Sequence, residues 1–380
     1  MKIFGIIIEA SPFHNGHQYF INKIRETYAP DVVIAVCSTS FTMRGDISTI
    51  DKFNKTSALL NNGVDMVVEL PFFHAVQSAD YFAEASVSIL NALKITDLVF
   101  GCETTDFDFL ERAIRVIASI KVNQKMKKNI SLKENINSYL ADYDFSDDDI
   151  KSFNGPNFTL ALQYIYSIKK NHFPINYHFI KRDTTDKLSI QYPSATALRN
   201  LLIENQSIAK YLPENVSVIN HYSKYQENLF LLIKSAYQIH SDENNIYFSS
   251  HEGLDNYISK NGDFSNNYQT FLDSLKNKKY TVSRMKRNIL HRLLKTPLGA
   301  PIHTTYIRLL GINQVGRSYL YLLPKETKQL IFSNPNEAKG FDKAIQDTLD
   351  LELKATKLYS IICEQPDLFK KEYTLPIRKE

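Results

Sequence analysis

The first residues that could do chemistry lie in a short turn at residues 14–17, which reads HNGH and directly follows the apolar run IFGIII. A helix that begins at this turn would direct unpaired backbone N–H groups toward it, and such groups bind anions. His14 and His17 are three residues apart, so a helix would place both imidazoles on one side. Gly16 would let the backbone approach a ligand closely. The pattern predicts a phosphate site suited to a nucleoside triphosphate.

Two other interpretations of this turn stay open. Histidines at this spacing could share a metal ion, although no third His, Cys or carboxylate stands at ligand spacing nearby. The histidines could also serve only to cap the helix. We favour phosphate binding over both, and the sequence assigns no metal ligands.

A second candidate motif, PSATALR, occupies residues 193–199. Ser194 and Thr196 can donate to phosphate from the start of a helix, and Arg199 can neutralise the β- and γ-phosphates. The alternative is that the Ser and Thr simply cap an apolar helix. The order of the two motifs along the chain favours phosphate binding for both.

The elements that must position these motifs follow an alternating pattern in the first half of the chain. Apolar runs predict parallel strands, most of them buried on both faces, at 3–8, 31–37, 65–71, 96–101 and 175–182. Helical spacing predicts helices near 16–27, 52–62, 76–94, 106–120 and 157–170. Repeated βαβ units form an open α/β sheet, which binds ligands beyond the carboxyl ends of its strands.

The second half of the chain has a different pattern. Residues 121–155 are polar and predict an excursion from the sheet, and we expect the strand runs to stop at about residue 205. Helical spacing predicts helices at 225–239, 266–277, 284–295 and 336–365. We therefore predict a mainly α-helical domain at 205–380.

The two motifs together resemble those of the HxGH nucleotidyltransferase superfamily, which carries a second motif of the form ISSTxxR. Its members transfer a nucleotidyl group from a nucleoside triphosphate and release pyrophosphate. The resemblance implies a Rossmann-like nucleotidyltransferase domain at 1–204 in an α/β fold. It also implies that His14, His17 and Arg199 are catalytic.

A closer resemblance covers most of the chain. The segments PFHNGH, FTMRGD, DKFNKTSALLNNGVDMVVELP, LVFGCE, GPNFTLALQY, FIKR, SRMKRNILHRLL and YIRLLGINQVGRSYL are similar, in order, to the tRNA(Met) cytidine acetate ligase family. That family uses ATP to activate acetate as acetyl-adenylate and then acetylates the wobble cytidine of elongator methionine tRNA. The resemblance implies ATP, acetate and this tRNA as partners. It also implies Mg²⁺, for which no ligand can be assigned.

Matching positions in this family imply an ATP site built from one loop and several separate residues. These are Ile7, Ile8, Glu9, Ala10, Ser11, Pro12, Phe13, His14, Asn15, Gly16, His17, Gln18, Tyr19, Phe20, Gly101, Asn157, Arg182, Asp183, Ser194, Thr196 and Arg199. The residue types suit this role: Gly101 at a strand end would allow close approach of adenosine, and Asn157 could cap a helix or present its amide. Arg182 would end a strand at the crevice, where phosphate explains a guanidinium better than core packing does.

The chain departs from the family pattern around the expected acceptor side of the site. It has Ala10 and Ser11 where Tyr and Asn are usual, and Lys55 where Arg is common. The segment TSFTMRGDI also differs at Thr39, Met43, Asp46 and Ile47. These departures leave the acyl donor and the exact tRNA open, while both histidines and Arg199 are retained.

A basic segment between residues 281 and 320 contains seven Lys and Arg residues and no acidic residue. Such a segment suits RNA phosphates, and Tyr306 or Tyr319 could stack on an unpaired base. A solvated helix face is the alternative. Together with the resemblance, the segment predicts tRNA contacts at Arg284, Lys286, Arg287, Arg292, Arg308 and Arg317.

Length and composition indicate the number of domains and the cellular compartment. Its 380 residues favour two domains, and a net charge of +4 is too small to define a partner by itself. Cys37, Cys102 and Cys363 are far apart and are expected to be small buried hydrophobes in a reducing compartment. No uncharged run approaches the ~20 residues that span a bilayer, so we expect a cytoplasmic protein without a stable protein partner.

Two rival functions are kept. A small-molecule adenylyltransferase, of the nicotinamide or pantetheine nucleotide type, would explain both phosphate motifs but would leave the basic second half without a purpose. A catalytically silent RNA-binding protein would retain the fold, but the intact His14, His17 and Arg199 argue against it.

Overall fold

The computed structural model describes residues 1–103, 106–123, 145, 155–181, 193–219, 221–240, 246–248, 253–300 and 306–380. Arg182 and Asp183, and nearly all of the predicted excursion at 121–155, lie outside these ranges. In the part of the chain described here, a mixed sheet carries helices on both faces. Helices from the second half of the chain form a further core that packs against residues of the first half.

Five adjacent parallel strands form most of the sheet. They are β1 (Ile3–Ile8), β2 (Val32–Ser38), β3 (Met66–Leu70), β4 (Asp97–Cys102) and β5 (Asn176–Lys181). The order across the sheet is β5-β4-β1-β2-β3, so the chain leaves β1 in one direction and later returns to its other side. The carboxyl ends of β1 and β4 therefore flank the switch point where α/β sheets bind ligands.

The helices of the first half cover this sheet, and those at the five predicted spans agree closely with the prediction. They are α1 (Asn15–Tyr28), α2 (Lys52–Asn61), α3 (Phe72–Ala75), α4 (Ala79–Ala92), α5 (Phe107–Asn123), α6 (Pro156–Lys170) and α7 (Ala195–Ile203). β2 and β3 are buried along their whole length, as expected for parallel strands with both faces covered. At Gly5 a Cβ would lie 2.7 Å from the terminal methyl of Ile95, so the helical layer packs closely on β1 at this position.

The expectation that strands stop at about residue 205 is wrong. β6 (Ile307–Ile312) pairs antiparallel with β3, and the short strands β7 (Ile331–Phe332) and β8 (Ile377–Arg378) pair with β6. The second half thus extends the sheet as well as forming helices. Every residue of β6 is buried, and the burial of its apolar side chains stabilises the junction between the halves.

The remaining helices lie in the second half. They are α8 (Tyr222–Lys234), which continues as a π-helical turn at Ser235–Ile239, α9 (Leu254–Asn261), α10 (Tyr268–Ser274), α11 (Val282–Leu293), α12 (Gln314–Leu322), α13 (Lys325–Gln329) and α14 (Lys343–Ile362). The apolar faces of α8, α9, α10, α11 and α14 form a core that also includes Phe41, Phe72 and Leu198 of the first half. Tyr319 of α12 packs instead in the core of the sheet. All three cysteines are buried free thiols, as predicted.

Candidate active site

The loop between β1 and α1, residues 9–14, lies at the switch point of the sheet. The loop is fixed to the protein interior by three buried residues, Ala10, Ser11 and Phe13. Ala10 has a φ of 46°, a left-handed conformation that costs a residue with a Cβ about 1 kcal/mol or more. The Ser11 hydroxyl accepts a hydrogen bond from the Thr49 N–H at 3.1 Å. These contacts fix the approach of the chain to α1.

His14 and His17 form a reciprocal cap on α1. His14 Nδ1 accepts from the Gly16 N–H at 3.0 Å, and His17 Nδ1 accepts from the His14 N–H at 3.3 Å. The ring centroids are 3.9 Å apart. Since Nδ1 accepts in both rings, the hydrogen-bond pattern assigns the proton of each neutral ring to Nε2. Each ring therefore caps the helix through Nδ1 and has its N–H at Nε2, beside the amino terminus of α1. A capping role is compatible with a role in hydrogen bonding to phosphate.

Arg199 connects the two motifs. It lies on α7, where Ser194 caps the helix by accepting from the Ala197 N–H at 3.1 Å. The Arg199 Nη1 donates to the Ser11 carbonyl at 2.8 Å, and its Nη2 donates to the Thr196 hydroxyl at 3.2 Å. The second motif thus reaches the first loop, and a guanidinium lies beside the capped start of α1.

A hairpin at residues 41–47 closes another side of the same crevice. Phe41 and Ile47 pair across it, and Gly45 turns its tip with a φ of 78°. The Met43 N–H donates to Glu9 Oε1 at 2.6 Å, and Asp46 Oδ2 lies 3.7 Å from Arg199 Nη2. Asp46 was missed as a site residue, because only the departure from the family pattern drew attention to it.

Two further ionisable side chains support the strand ends below the crevice. Lys55 is fully buried and donates to the carbonyls of Ser38 at 2.7 Å and Thr39 at 3.2 Å. Burial lowers the pKa of Lys55, although nearby acidic groups oppose this effect. Burial raises the pKa of Glu9, and the hydrogen bond from Met43 and the charge of Arg199 offset this only in part. Both shifts favour the neutral forms of these side chains, which lie together at the floor of the site.

The residues beyond β4 form the opposite wall. Gly101 is the second-last residue of β4 and lies opposite Ile180 of β5. The Asn157 amide donates to Glu103 Oε1 at 2.8 Å, and the Asn157 N–H donates to the same atom at 3.1 Å. Asn157 is not the cap of α6, since Gly155 holds that position. Its amide is oriented by Glu103, a residue that the sequence did not single out.

Other residues of the predicted ATP loop have structural partners. The Gln18 amide donates to Asn62 Oδ1 at 2.7 Å, and the Asn15 amide donates to the Lys210 carbonyl at 3.4 Å. Phe20 packs against the core on the α1 side of the sheet, whereas Tyr19 is exposed.

Two of the predicted tRNA contacts are contradicted by burial. Arg292 has 2% of its surface exposed and donates to the carbonyls of Ala236 and His240. Arg308 has 1% exposed and forms ion pairs with Glu69 and Glu372. A guanidinium held in this way cannot reach an RNA phosphate, so both residues serve the core.

The stacking role considered for two tyrosines is also wrong. Tyr306 is buried and donates to Glu69 Oε1 at 2.6 Å. Tyr319 is buried and donates to the Leu93 carbonyl at 2.7 Å. Neither ring is available to an unpaired base.

The other basic residues separate into two places. Arg284, Lys286 and Arg287 are partly exposed near the start of α11, where Lys286 Nζ lies 2.8 Å from Asp46 Oδ1 and Arg287 Nη1 donates to the Met43 carbonyl at 3.3 Å. Arg317 follows β6 on α12, whose cap Asn313 bonds Asp65 just before β3. Because β6 is antiparallel to β3, Arg317 lies at the sheet end opposite the crevice.

The described residues contain no group of three or more His, Cys, Asp or Glu side chains that could hold a metal ion. This part of the chain therefore offers no protein cage for Mg²⁺. Mg²⁺ commonly binds through substrate phosphates and water, so the donor set does not require one.

Among the helices described, none is long and apolar enough to cross a membrane.

The switch-point crevice, the paired histidines at a helix start and the arginine from a second motif define a nucleotidyltransferase of the HxGH type. The family model described as HIGH Nucleotidyl Transferase matches residues 1–373. Curated relatives called tRNA(Met) cytidine acetate ligase include those of Thermosipho africanus (32% identical, over 88% of this chain and 85% of the relative) and Listeria welshimeri (33%, over 95% of each).

The solved structures agree with the sequence relatives. The crystal structure of Thermotoga maritima TmcAL bound with alpha-thio ATP superposes with a TM-score of 0.84 at 28% identity, covering 100% of this chain and 99% of that one. The apo structure of the same protein gives the same TM-score. The chain belongs to the HIGH nucleotidyltransferase family and, within it, to the tRNA(Met) cytidine acetate ligase family.

Proposed function

We propose that the protein is an ATP-dependent, AMP-forming ligase that activates acetate as acetyl-adenylate and acetylates N4 of the wobble cytidine in elongator methionine tRNA. The observation that carries the first step is the bond from Arg199 to the Ser11 carbonyl, since it joins both phosphate motifs at one crevice. The relative that was crystallised with an ATP analogue supports nucleotide binding at this fold.

In the first step, an acetate oxygen attacks the α-phosphorus of ATP and pyrophosphate leaves with the electron pair of the broken P–O bond. Negative charge grows on the phosphate oxygens, and preorganised donors stabilise it. His14 and His17 would donate from Nε2, and Arg199 would neutralise the departing phosphates. No protein nucleophile is required, because positioning and electrostatics supply the acceleration. Mg²⁺, when it accompanies the triphosphate, neutralises phosphate charge.

In the second step, the cytidine amine attacks the acetyl carbonyl, the new C–N bond replaces the C–O bond to phosphate, and AMP leaves. The amine gives up one proton as the amide forms. The features that favour a large RNA acceptor over a small molecule are Arg284, Lys286 and Arg287, which lie beside the hairpin that walls the crevice. A small-molecule adenylyltransferase would have no use for a basic helix start here.

We assign ATP binding and adenylate formation to the domain at residues 1–204, and RNA binding to the domain at residues 205–380. Because β6 belongs to the sheet, the second region also supports the first. A cytoplasmic location and action without a stable protein partner stay predictions.

The test is nucleoside mass analysis of methionine tRNA after incubation with the purified protein, ATP and acetate. An acetylated cytidine that requires ATP, acetate and His17 supports the proposal. His17→Ala is the inactive variant, and His240→Ala, whose side chain is exposed, is the matched control. No tRNA acetylation, but pyrophosphate release with another acceptor in place of acetate and tRNA, would favour the small-molecule adenylyltransferase, and neither product would favour a silent RNA binder.

A further inference from the structure

The 41–47 hairpin lies between the nucleotide site and the basic helix α11 and contacts both. On one side, the Met43 N–H donates to Glu9 at 2.6 Å. On the other side, the Met43 carbonyl accepts from Arg287 at 3.3 Å. At Gly45 a Cβ would lie 2.7 Å from the Lys286 Cβ, so the hairpin tip packs directly on the helix backbone. A shift of α11 must therefore move the hairpin.

Asp46 carries the charged part of this contact. Its Oδ1 lies 2.8 Å from Lys286 Nζ, and its Oδ2 lies 3.7 Å from Arg199 Nη2. The side chains of Arg199, Asp46 and Lys286 are 13%, 17% and 16% exposed, so water screens them only in part. Burial alone would raise the pKa of Asp46, but the charges of Lys286 and Arg199 outweigh it and hold the pKa below its usual range. The carboxylate stays ionised.

We propose that Asp46 is a positioning residue that couples nucleotide binding to RNA binding, because a single carboxylate is the shared counterion of Arg199 at the nucleotide site and Lys286 on the RNA-facing helix. The inference rests on the proposed function and adds to it an energetic link between the two substrates.

The direction of the link follows from competition for one negative charge. When an RNA phosphate engages Lys286, Asp46 loses that partner and its charge acts on Arg199 alone. The guanidinium is then held more strongly toward Asp46 and less strongly toward the triphosphate or pyrophosphate. RNA binding thus weakens the hold on pyrophosphate once the adenylate has formed. Because binding linkage is reciprocal, the triphosphate weakens RNA binding by the same factor.

The experiment measures the Kd of the full chain for a non-hydrolysable ATP analogue, with and without saturating methionine tRNA. In the wild type, we expect tRNA to raise this Kd by at least ~5-fold, at the lower end of ordinary coupling between sites. Asp46→Asn should reduce the effect to less than ~2-fold, and so should Lys286→Met. Asp46→Glu keeps the charge and should restore the coupling.

Two controls make the result specific. Direct repulsion between the bound phosphates is unchanged in D46N, so any coupling that it causes survives this substitution. Lys343→Met removes an exposed lysine, 83% accessible, from α14 and should leave the coupling at the wild-type value. Thermal melting of each variant shows whether it is folded.

The outcomes separate this inference from the proposed function. Wild-type coupling in folded D46N, or a D46E variant that folds but does not restore coupling, overturns the role of Asp46. A wild type that binds both ligands without coupling also overturns it. A wild type that binds no tRNA or no ATP analogue overturns the proposed function, and the coupling with it.

Discussion

The Arg199 guanidinium donates to the Ser11 carbonyl at 2.8 Å across a sequence separation of 188 residues. This bond fixes a cation from the second motif against the loop of the first. The second arm of the same guanidinium donates to Thr196 at 3.2 Å, so two nitrogens are oriented at once. The planar fork is what makes this geometry possible.

Arg199→Lys keeps the charge but loses the fork. We expect kcat for acetyl-adenylate formation to fall by roughly 10²-fold, since a misplaced donor no longer stabilises the transition state. Acetate-dependent exchange of pyrophosphate into ATP measures this step. Arg115→Lys, at an exposed position on α5, is the matched control and should keep wild-type exchange. Full activity of Arg199→Lys would mean that only the charge is needed.

His17→Ala removes one ring of the reciprocal cap on α1. We expect a loss of about 1 kcal/mol in the free energy of unfolding, because the acceptor for the His14 N–H disappears. Adenylate formation should fall by roughly 10²–10³-fold through loss of the Nε2 donor, while tRNA binding should stay within twofold of wild type. Urea denaturation, pyrophosphate exchange and filter binding measure the three effects. An equal loss of both activities would argue for a folding defect.

The sequence predicted the five parallel strands to within one or two residues, because for most of them a continuous apolar run between two helical patterns is typical of a strand buried on both faces. β5 differs, since it lies at the edge of the sheet and is only partly buried. It failed at β6. The run YIRLLGI is short, contains an arginine and follows a basic helix, and periodicity alone cannot distinguish a buried strand of this length from a helix.

Arg292 and Arg308 were misassigned because the sequence does not show which distant residues a side chain contacts in the fold. Arginine is rarely buried, so an acid-free basic segment predicts a solvated surface. The partners that bury Arg308 are Glu69, which is 239 residues away, and Glu372. Asp46 was overlooked for a related reason: its importance comes from Arg199 and Lys286, which reach it from two distant helices.

Arg284→Ala and Arg292→Ala should therefore behave differently. Arg284 is partly exposed at the start of α11, and its loss should weaken tRNA binding and reduce the slope of log K against log salt by about 1. Arg292 is buried, and its loss should destabilise the fold by roughly 3 kcal/mol with no change in the slope. Salt titrations of tRNA binding and urea denaturation distinguish the two. A reduced slope in Arg292→Ala would restore it as an RNA contact.

A buried ionic network joins the two halves behind the site. Lys52 lies 2.9 Å from Glu69, 2.7 Å from Glu352 and 2.7 Å from Glu372. Lys52→Met would leave three buried carboxylates with Arg308 as their remaining cation. We expect the free energy of unfolding to fall by about 3–5 kcal/mol, measured by urea denaturation. Lys343→Met, which breaks an exposed pair with Asp347, should cost less than about 0.5 kcal/mol. Equal costs would show that the network contributes no more than a surface pair.

Glu352 makes the stability of this network depend on pH. Its Oε1 accepts from Lys52 at 2.7 Å and its Oε2 accepts from the Phe72 N–H at 2.6 Å. Burial and the charge of Glu69 raise the pKa of Glu352 to about 7, from an ordinary 4.5, against the opposing charge of Lys52. Below the unfolded pKa both states are protonated and the contribution of this group to stability is complete. Between pH 4.5 and 7 the unfolded state loses its proton first, so that contribution is lost as the pH rises.

The full loss of unfolding free energy from Glu352 across this pH range is on the order of 3 kcal/mol. Glu352→Gln has no proton to release, so the unfolding free energy of wild type minus variant should fall between pH 5 and pH 7 and then level off. Urea denaturation at pH 5, 6, 7 and 8 measures it, with Glu326→Gln on the exposed face of α13 as the control. The pH dependence that Glu372 gives to stability has the opposite sign. Burial would raise the pKa of Glu372, but the charges of Lys52 and Arg308 outweigh it and lower the pKa to about 2. Its contribution to the unfolding free energy is therefore lost only as the pH falls below the range from pH 5 to pH 8. A difference that stays constant from pH 5 to pH 8 would show that Glu352 is ionised throughout, paired with Lys52 as an ordinary carboxylate.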